Sequence, residues 1–128
     1  MSIYQRTKYW VCLTLQSRTM EGKLPQATYQ ELAQELPLSE GAIRLSLYRL
    51  STGYTKPGRR RYAHPYCLPI PSTRGYRPFR LLAKGRKFIK RIESERREDT
   101  KQWLAELLEF RSFMREVKKV MGKYQEQP

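Results

Sequence analysis

The sequence predicts a mainly α-helical chain with one small β-ribbon and a C-terminal helix set apart from the rest. Three observations predict it. A capping box, Thr28-x-x-Glu31, opens a pair of short amphipathic segments. Pro57, Pro65, Pro69, Pro71 and Pro78 exclude helix from the stretch between 54 and 82. The apolar residues Trp103, Leu107, Phe110, Met114, Val117 and Met121 then recur at alternating steps of four and three.

Taken in order, residues 7–20 read as a first helix, with Tyr9, Trp10, Leu13 and Met20 at near-helical spacing. Val11, Cys12 and Leu15 make it apolar on further faces, so it is expected to lie deep in the core. Glu21-Gly22-Lys23 breaks it, and Pro25 keeps the chain extended. Thr28 caps a second helix that buries Leu32, Ala33 and Leu36 and stops at Pro37. Ser39 caps a third helix, in which Ile43, Leu47 and Leu50 fall at i, i+4 and i+7, one buried stripe. Rotation by 100° per residue puts Gly41, Arg44, Leu45, Tyr48, Arg49 and Thr52 on the other side, and Gly53 ends the helix.

Tyr66, Cys67, Leu68 and Ile70 then suggest a short edge strand, Ser72-Thr73-Arg74-Gly75 a turn, and Pro78 to Leu82 a returning strand. Helix resumes near Ala83, with Phe88, Ile89 and Ile92 on its apolar face and Lys84, Arg86, Lys87, Lys90 and Arg91 around the rest. Residues 93–99 carry almost no apolar material, which fits a hinge or a solvated stretch of one long helix; Asp99 reads as a cap.

The charge is confined. No Asp or Glu stands between Glu40 and Glu93, a gap of 52 residues holding fourteen Lys and Arg. Residues 1–92 carry 18 basic and 4 acidic side chains, and residues 93–128 carry 8 of each, so the net charge of +14 belongs wholly to the first part. A surface this one-sided repels itself and calls for an external polyanion, of which nucleic acid is the commonest in a cell. The division at 92/93 suggests two units: 1–92 meeting the polyanion and 93–128, electrically balanced, meeting protein.

The segment TYQELAQELPLSEGAIRLSLYRLSTGY resembles the helix-turn-helix of winged helix proteins, through Leu32, Ala33, Leu36, Leu38, Ile43, Leu47, Leu50 and Gly53. The stretch RGYRPFRLLAKGRKFIKRI is similar to the second wing strand and following helix of PadR- and MarR-like regulators. Leu82, Gly85 and Arg86 hold places in their Leu-Thr-x-x-Gly-Arg pattern, with Ala83 in place of Thr. Pro37 stands where glycine is usual in the turn, and the arm between Tyr54 and Phe79 is longer and richer in proline than a short wing. GAIRLSLYRL is also similar to the PaaX type, so the subfamily stays open.

The resemblance implies a winged helix-turn-helix with a small β-wing plus a C-terminal helix, bound to double-stranded DNA. Base readout then falls to the third helix, through Gly41, Arg44, Leu45, Tyr48 and Arg49, because that helix enters the major groove in this fold. Backbone contact falls to Lys56, Arg59, Arg60, Arg61, Arg74 and Arg77 in the wing, and to Thr28, Gln30 and Ser39 at helix starts. Tyr62, Tyr66 and Tyr76 interleave with these arginines and read as core filling under the wing. The seam Trp103, Leu107, Phe110, Met114, Val117 and Met121 is expected to join two copies as a homodimer; the alternative is that it packs back as a last core helix.

Other chemistry finds little material. His64 stands alone with no carboxylate within 23 residues, so no catalytic pair is visible and no enzyme is expected. Cys12 and Cys67 read as reduced thiols; with the one histidine they fall short of a zinc set, and no cofactor is expected. No apolar run approaches the roughly 20 residues that span a bilayer, and no signal segment follows Met1, so a cytoplasmic protein without a membrane partner is expected. The expected role is a transcriptional repressor. A plasmid or phage protein for replication, partition or DNA architecture is the first alternative, and an RNA-binding protein the second.

Overall fold

The computed structural model describes residues 3–52, 65–72 and 75–126. Helix α1 spans Ile3–Ser17 and passes into a 3-10 turn, Arg18–Glu21, closed by Gly22 at φ 76°. That left-handed conformation suits glycine, and the Gly22 amide reaches back to Arg18 and Thr19. Strand β1 is Gln26–Ala27, α2 is Tyr29–Glu35 and α3 is Glu40–Thr52. Strands β2 (Cys67–Pro69) and β3 (Phe79–Leu81) lead to α4 (Ala83–Glu95) and the long α5 (Arg97–Glu126). The fold is mainly helical with a small antiparallel sheet of order β1-β3-β2. Arg80 is the centre of its register, opposite Gln26 on one side and Leu68 on the other.

Helix α1 is the axis of the core. Tyr9, Trp10, Val11, Cys12 and Leu15 are all buried, because α3, α4, β3 and α5 pack around it. This is why its apolar residues follow no single stripe. Met20 departs from expectation: it falls in the 3-10 turn, beyond the last packed turn of α1, and is 90% exposed.

The capping box forms as the sequence requires. The Thr28 hydroxyl accepts from the Glu31 amide at 3.2 Å, and the Glu31 carboxylate accepts from the Thr28 amide at 3.1 Å. Ser39 caps α3 by accepting from the Ala42 amide at 3.2 Å. Ile43, Leu47 and Leu50 are buried as the spacing predicts, and the half-buried Leu38 packs against the core. The strand pairing of Gln26–Ala27 with β3 was not expected: two residues are too few to show alternation, and β3 supplies the pairing from more than fifty residues away.

Tyr66 ties three elements together. Its amide donates to Leu50 at the end of α3 at 3.0 Å, and its carbonyl accepts from Leu82 just before α4 at 2.9 Å. A Cβ on Gly85 would stand 2.7 Å from that carbonyl oxygen and closer still to the Leu81 side chain, so only glycine lets α4 approach here. Tyr66 also packs on Phe88, ring centroids 5.3 Å apart, as the core-filling reading expects, whereas Tyr76 departs from that reading and is exposed.

The last two helices are separate. Arg96, at φ −133° and ψ 52°, interrupts them, three residues beyond the expected boundary at 92/93. Thr100 turns the chain into α5 by donating to the Arg96 and Arg97 carbonyls at 3.1 and 3.0 Å. Asp99 does not cap α5 as expected; it lies in the helix's first turn, where a carboxylate favours the helix dipole, 3.7 Å from Arg96.

Helix α5 packs across the expected division at 92/93. Trp103 and Leu107 are buried in the same core as α1 to α4. The Trp10 indole donates to the Trp103 carbonyl at 3.1 Å, and the Arg111 guanidinium donates to the buried Thr14 hydroxyl at 3.0 Å. The first half of the seam is therefore intrachain core, because α1 presents both apolar surface and polar partners to it. Trp103 and Leu107 have no surface left for a second copy. Beyond them the seam opens: Phe110, Met114 and Val117 are half-buried and Met121 is 55% exposed.

Candidate nucleic-acid interface

The outward side of α3 is built from what its buried stripe leaves free. Gly41, Arg44, Leu45 and Tyr48 are exposed, Leu45 and Tyr48 at 45% and 44%. A Cβ at Gly41 would meet nothing within 4 Å, so glycine there answers no packing demand of the chain itself. One exposed flank of a helix thus offers a guanidinium, an apolar side chain, an aromatic ring and a bare stretch of backbone.

Arg44 is held in place. Its guanidinium sits 4.1 Å from the Tyr29 ring centroid and donates through Nη2 to the Tyr29 hydroxyl. Tyr29 meets Tyr76 edge-on, ring centroids 6.1 Å apart. The start of α2 and the segment before β3 therefore both help to orient a side chain of α3. A guanidinium carries five N–H donors, so most of them stay available to an outside acceptor. Tyr29 is a positioning residue that sequence reasoning missed; it lies fifteen residues from Arg44, and no local spacing rule joins the two.

Arg49 is only half-buried on the flank toward α1, where Lys8 is its neighbour. Burial and then the Arg49 charge lower the pKa of the Lys8 ammonium, while the Cys12 thiol partly opposes them. Lys8 was also missed, since it lies in a segment the sequence marks only as core helix.

The other expected contacts divide. Arg77 is exposed. Lys56, Arg59, Arg60, Arg61, Arg74, Tyr62 and His64 lie outside the described residues, as does Gly53. The Ser39 oxygen accepts from Ala42 while its proton stays available for donation at an exposed site. Thr28 is less suited to a phosphate, because its hydroxyl also donates to the Glu31 carboxylate at 3.2 Å. Burial acts to raise the Glu31 pKa, but the hydrogen bonds from Thr28 and the charge of Arg18 outweigh it and hold the carboxyl below its usual range. Gln30 is half-buried, with its side-chain oxygen enclosed and unpartnered. Arg80, another arginine of the ribbon, is committed to the sheet: it donates twice to the Gln26 side-chain oxygen, at 2.9 and 2.8 Å.

No protein-family model, curated protein or solved structure matches the chain. No described helix is long and apolar enough to cross a membrane. Among the described residues, no group of three or more His, Cys, Asp or Glu side chains is placed to hold a metal ion. What remains is a cationic, partly aromatic surface centred on α3.

Proposed function

We propose that the chain is a winged helix-turn-helix protein that binds double-stranded DNA sequence-specifically and acts as a homodimeric transcriptional repressor in the cytoplasm. One observation carries the reading: α3 buries Ile43, Leu47 and Leu50 and turns Gly41, Arg44, Leu45 and Tyr48 outward, in a segment with no carboxylate from 41 to 92. A helix so presented fits the major groove, about 12 Å wide. Arg44, oriented by Tyr29, bonds guanine bidentately; Leu45 and Tyr48 meet thymine methyl groups and sugars; Gly41 lets the backbone approach closely. Arg49 with Lys8, and Arg77, hold phosphates and set the register.

The homodimer is assigned to the open half of the seam. Phe113 and Met121, 61% and 55% exposed, with the half-buried Phe110, Met114 and Val117, line the part of α5 that continues past the core. Pairing two such helices covers this surface and sets two α3 helices for half-sites about one helical turn, roughly 34–36 Å, apart.

Selection of bound sequences from a random duplex library tests the reading. The expected result is a palindromic motif whose guanine preference is relaxed by Arg44→Ala, at a cost of about 1–3 kcal/mol on the preferred site only. Arg77→Ala is expected to weaken all duplexes alike and to flatten the salt slope by about one. Failure to enrich any motif, or an unchanged motif with Arg44→Ala, refutes base readout by α3.

A further inference from the structure

We infer that the exposed face of α4 is a second backbone-contacting surface, which tracks the phosphates of the same duplex just outside the site read by α3. The inference rests on the DNA-binding reading above and extends it to a helix given no role there.

Helix α4 spends its apolar side in the core, where Gly85, Phe88, Ile89 and Ile92 are buried. What it shows to solvent along its first two and a half turns is cationic: Arg86, Lys87, Lys90 and Arg91 are all exposed. None of the four forms an ion pair with a described carboxylate, whereas Arg6, Arg18, Arg96, Lys101 and Lys119 each do. The carboxylates of α4, Glu93 and Glu95, come only at its end, and Glu93 accepts from the Tyr9 hydroxyl at 3.2 Å. Like charges three and four residues apart on one helix, as Arg86 with Lys90 and Lys87 with Lys90 and Arg91, repel one another. Among the described residues no carboxylate pairs with these four side chains, so an external anion is the partner this face fits.

The chemistry and the place both point to a nucleic-acid backbone. An amphipathic helix that lies in a lipid surface must insert its apolar side, and here that side is enclosed by protein. Arg86 to Arg91 rise about 7.5 Å along the axis, comparable to about two phosphate steps of one strand. The start of α4 is also anchored beside the end of α3. Tyr66 alone separates them: its amide bonds Leu50, its carbonyl accepts from Leu82, and the Lys84 ammonium lies 5.0 Å from its ring centroid. The end of α3 and the start of α4 are therefore neighbours, and the inference lays a duplex that receives α3 across both.

The test uses the whole chain and the triple variant Arg86→Gln/Lys87→Gln/Lys90→Gln. Arg91 is retained because its guanidinium covers the Phe88 ring at 5.5 Å. Affinity is measured against salt on random-sequence duplexes of about 20 base pairs, which hold both half-sites of a dimer, and of about 40; each phosphate contact adds about 0.9 to the slope. The wild type is expected to gain about two in slope per protomer on the longer duplex, and the variant to lose that gain while matching the wild type on the shorter one. Circular dichroism identical to the wild type shows that the variant is folded. No gain with length in the wild type, or an equal loss by the variant on both duplexes, overturns the inference and leaves the role of α3 standing. No wild-type binding to either duplex overturns both. A variant unchanged on duplex DNA that loses binding to single-stranded RNA or to phosphatidylserine vesicles reassigns the face and also overturns it.

Discussion

Leu107→Ala separates the two roles that one helix is asked to fill. Leu107 is fully buried, on the part of α5 that packs against α1. The substitution removes three carbons, worth about 2.4 kcal/mol at about 0.8 kcal/mol each. A cavity term adds to this where the surroundings relax poorly. Here α5 is pinned on both sides of the site, by the Trp10–Trp103 hydrogen bond and by Arg111 on Thr14, so collapse is restricted. The expected loss is therefore about 3–4 kcal/mol, in the middle of the range for buried leucines. At about 4 °C per kcal/mol for a chain of this size, Tm falls by roughly 12–16 °C. The assay is urea unfolding followed by circular dichroism, at two protein concentrations a hundredfold apart. A core residue gives the same difference from wild type at both, whereas a dimer contact gives a difference that changes with concentration. A loss under about 1 kcal/mol, or one that shrinks on dilution, would refute the placement of Leu107 in the core. Met121→Ala, on the open half of the seam, is expected to show the opposite pattern: little change in the monomer and a weaker dimer by equilibrium sedimentation.

Three further outcomes follow from named contacts. Gly85→Ala gains about 1 kcal/mol of helix propensity but drives a methyl group onto the Tyr66 carbonyl and Leu81, an overpacking cost of about 1–3 kcal/mol or more; the net loss is read by thermal unfolding, and an unchanged or higher Tm contradicts the close approach. Cys12 and Cys67 are both buried, burial pushing the Cys67 thiol up to about 12 and the Cys12 thiol further. Neither is expected to react with iodoacetamide at pH 8 in the folded protein, and both are expected to react in urea, as counted by mass spectrometry. Glu31 has a lowered pKa in the folded state, so its contribution is complete above its unfolded value and is lost as pH falls below about 4. Glu31→Gln is expected to be less stable near neutrality and to show a shallower acid limb; parallel pH curves for the two proteins would argue against it.

Local signals carried the short elements. The Thr28–Glu31 capping box, the Ser39 cap and the stripe Ile43, Leu47, Leu50 are satisfied within one or two helical turns, and α2 and α3 stand where they place them. The exposed side of α3 was legible for the same reason: once the buried stripe is known, 100° per residue settles which residues face away. Arg49 shows the limit: it is half-buried and near enough to the Lys8 ammonium of α1 to lower its pKa, a relation that periodicity within α3 does not contain.

By itself the sequence determined the class of elements, the concentration of positive charge in residues 1–92, and the glycine at 85 near the start of an amphipathic helix. These depend on propensity, spacing and composition, which neighbouring residues along the chain decide. Only the tertiary structure decided that Tyr29 holds Arg44, that Tyr66 joins α3 to α4, and that a continuous heptad seam is half core and half open surface. A period of 3.5 states that one side of a helix is apolar. It does not state what covers that side, and here the core covers Trp103 and Leu107 but leaves Met121 open.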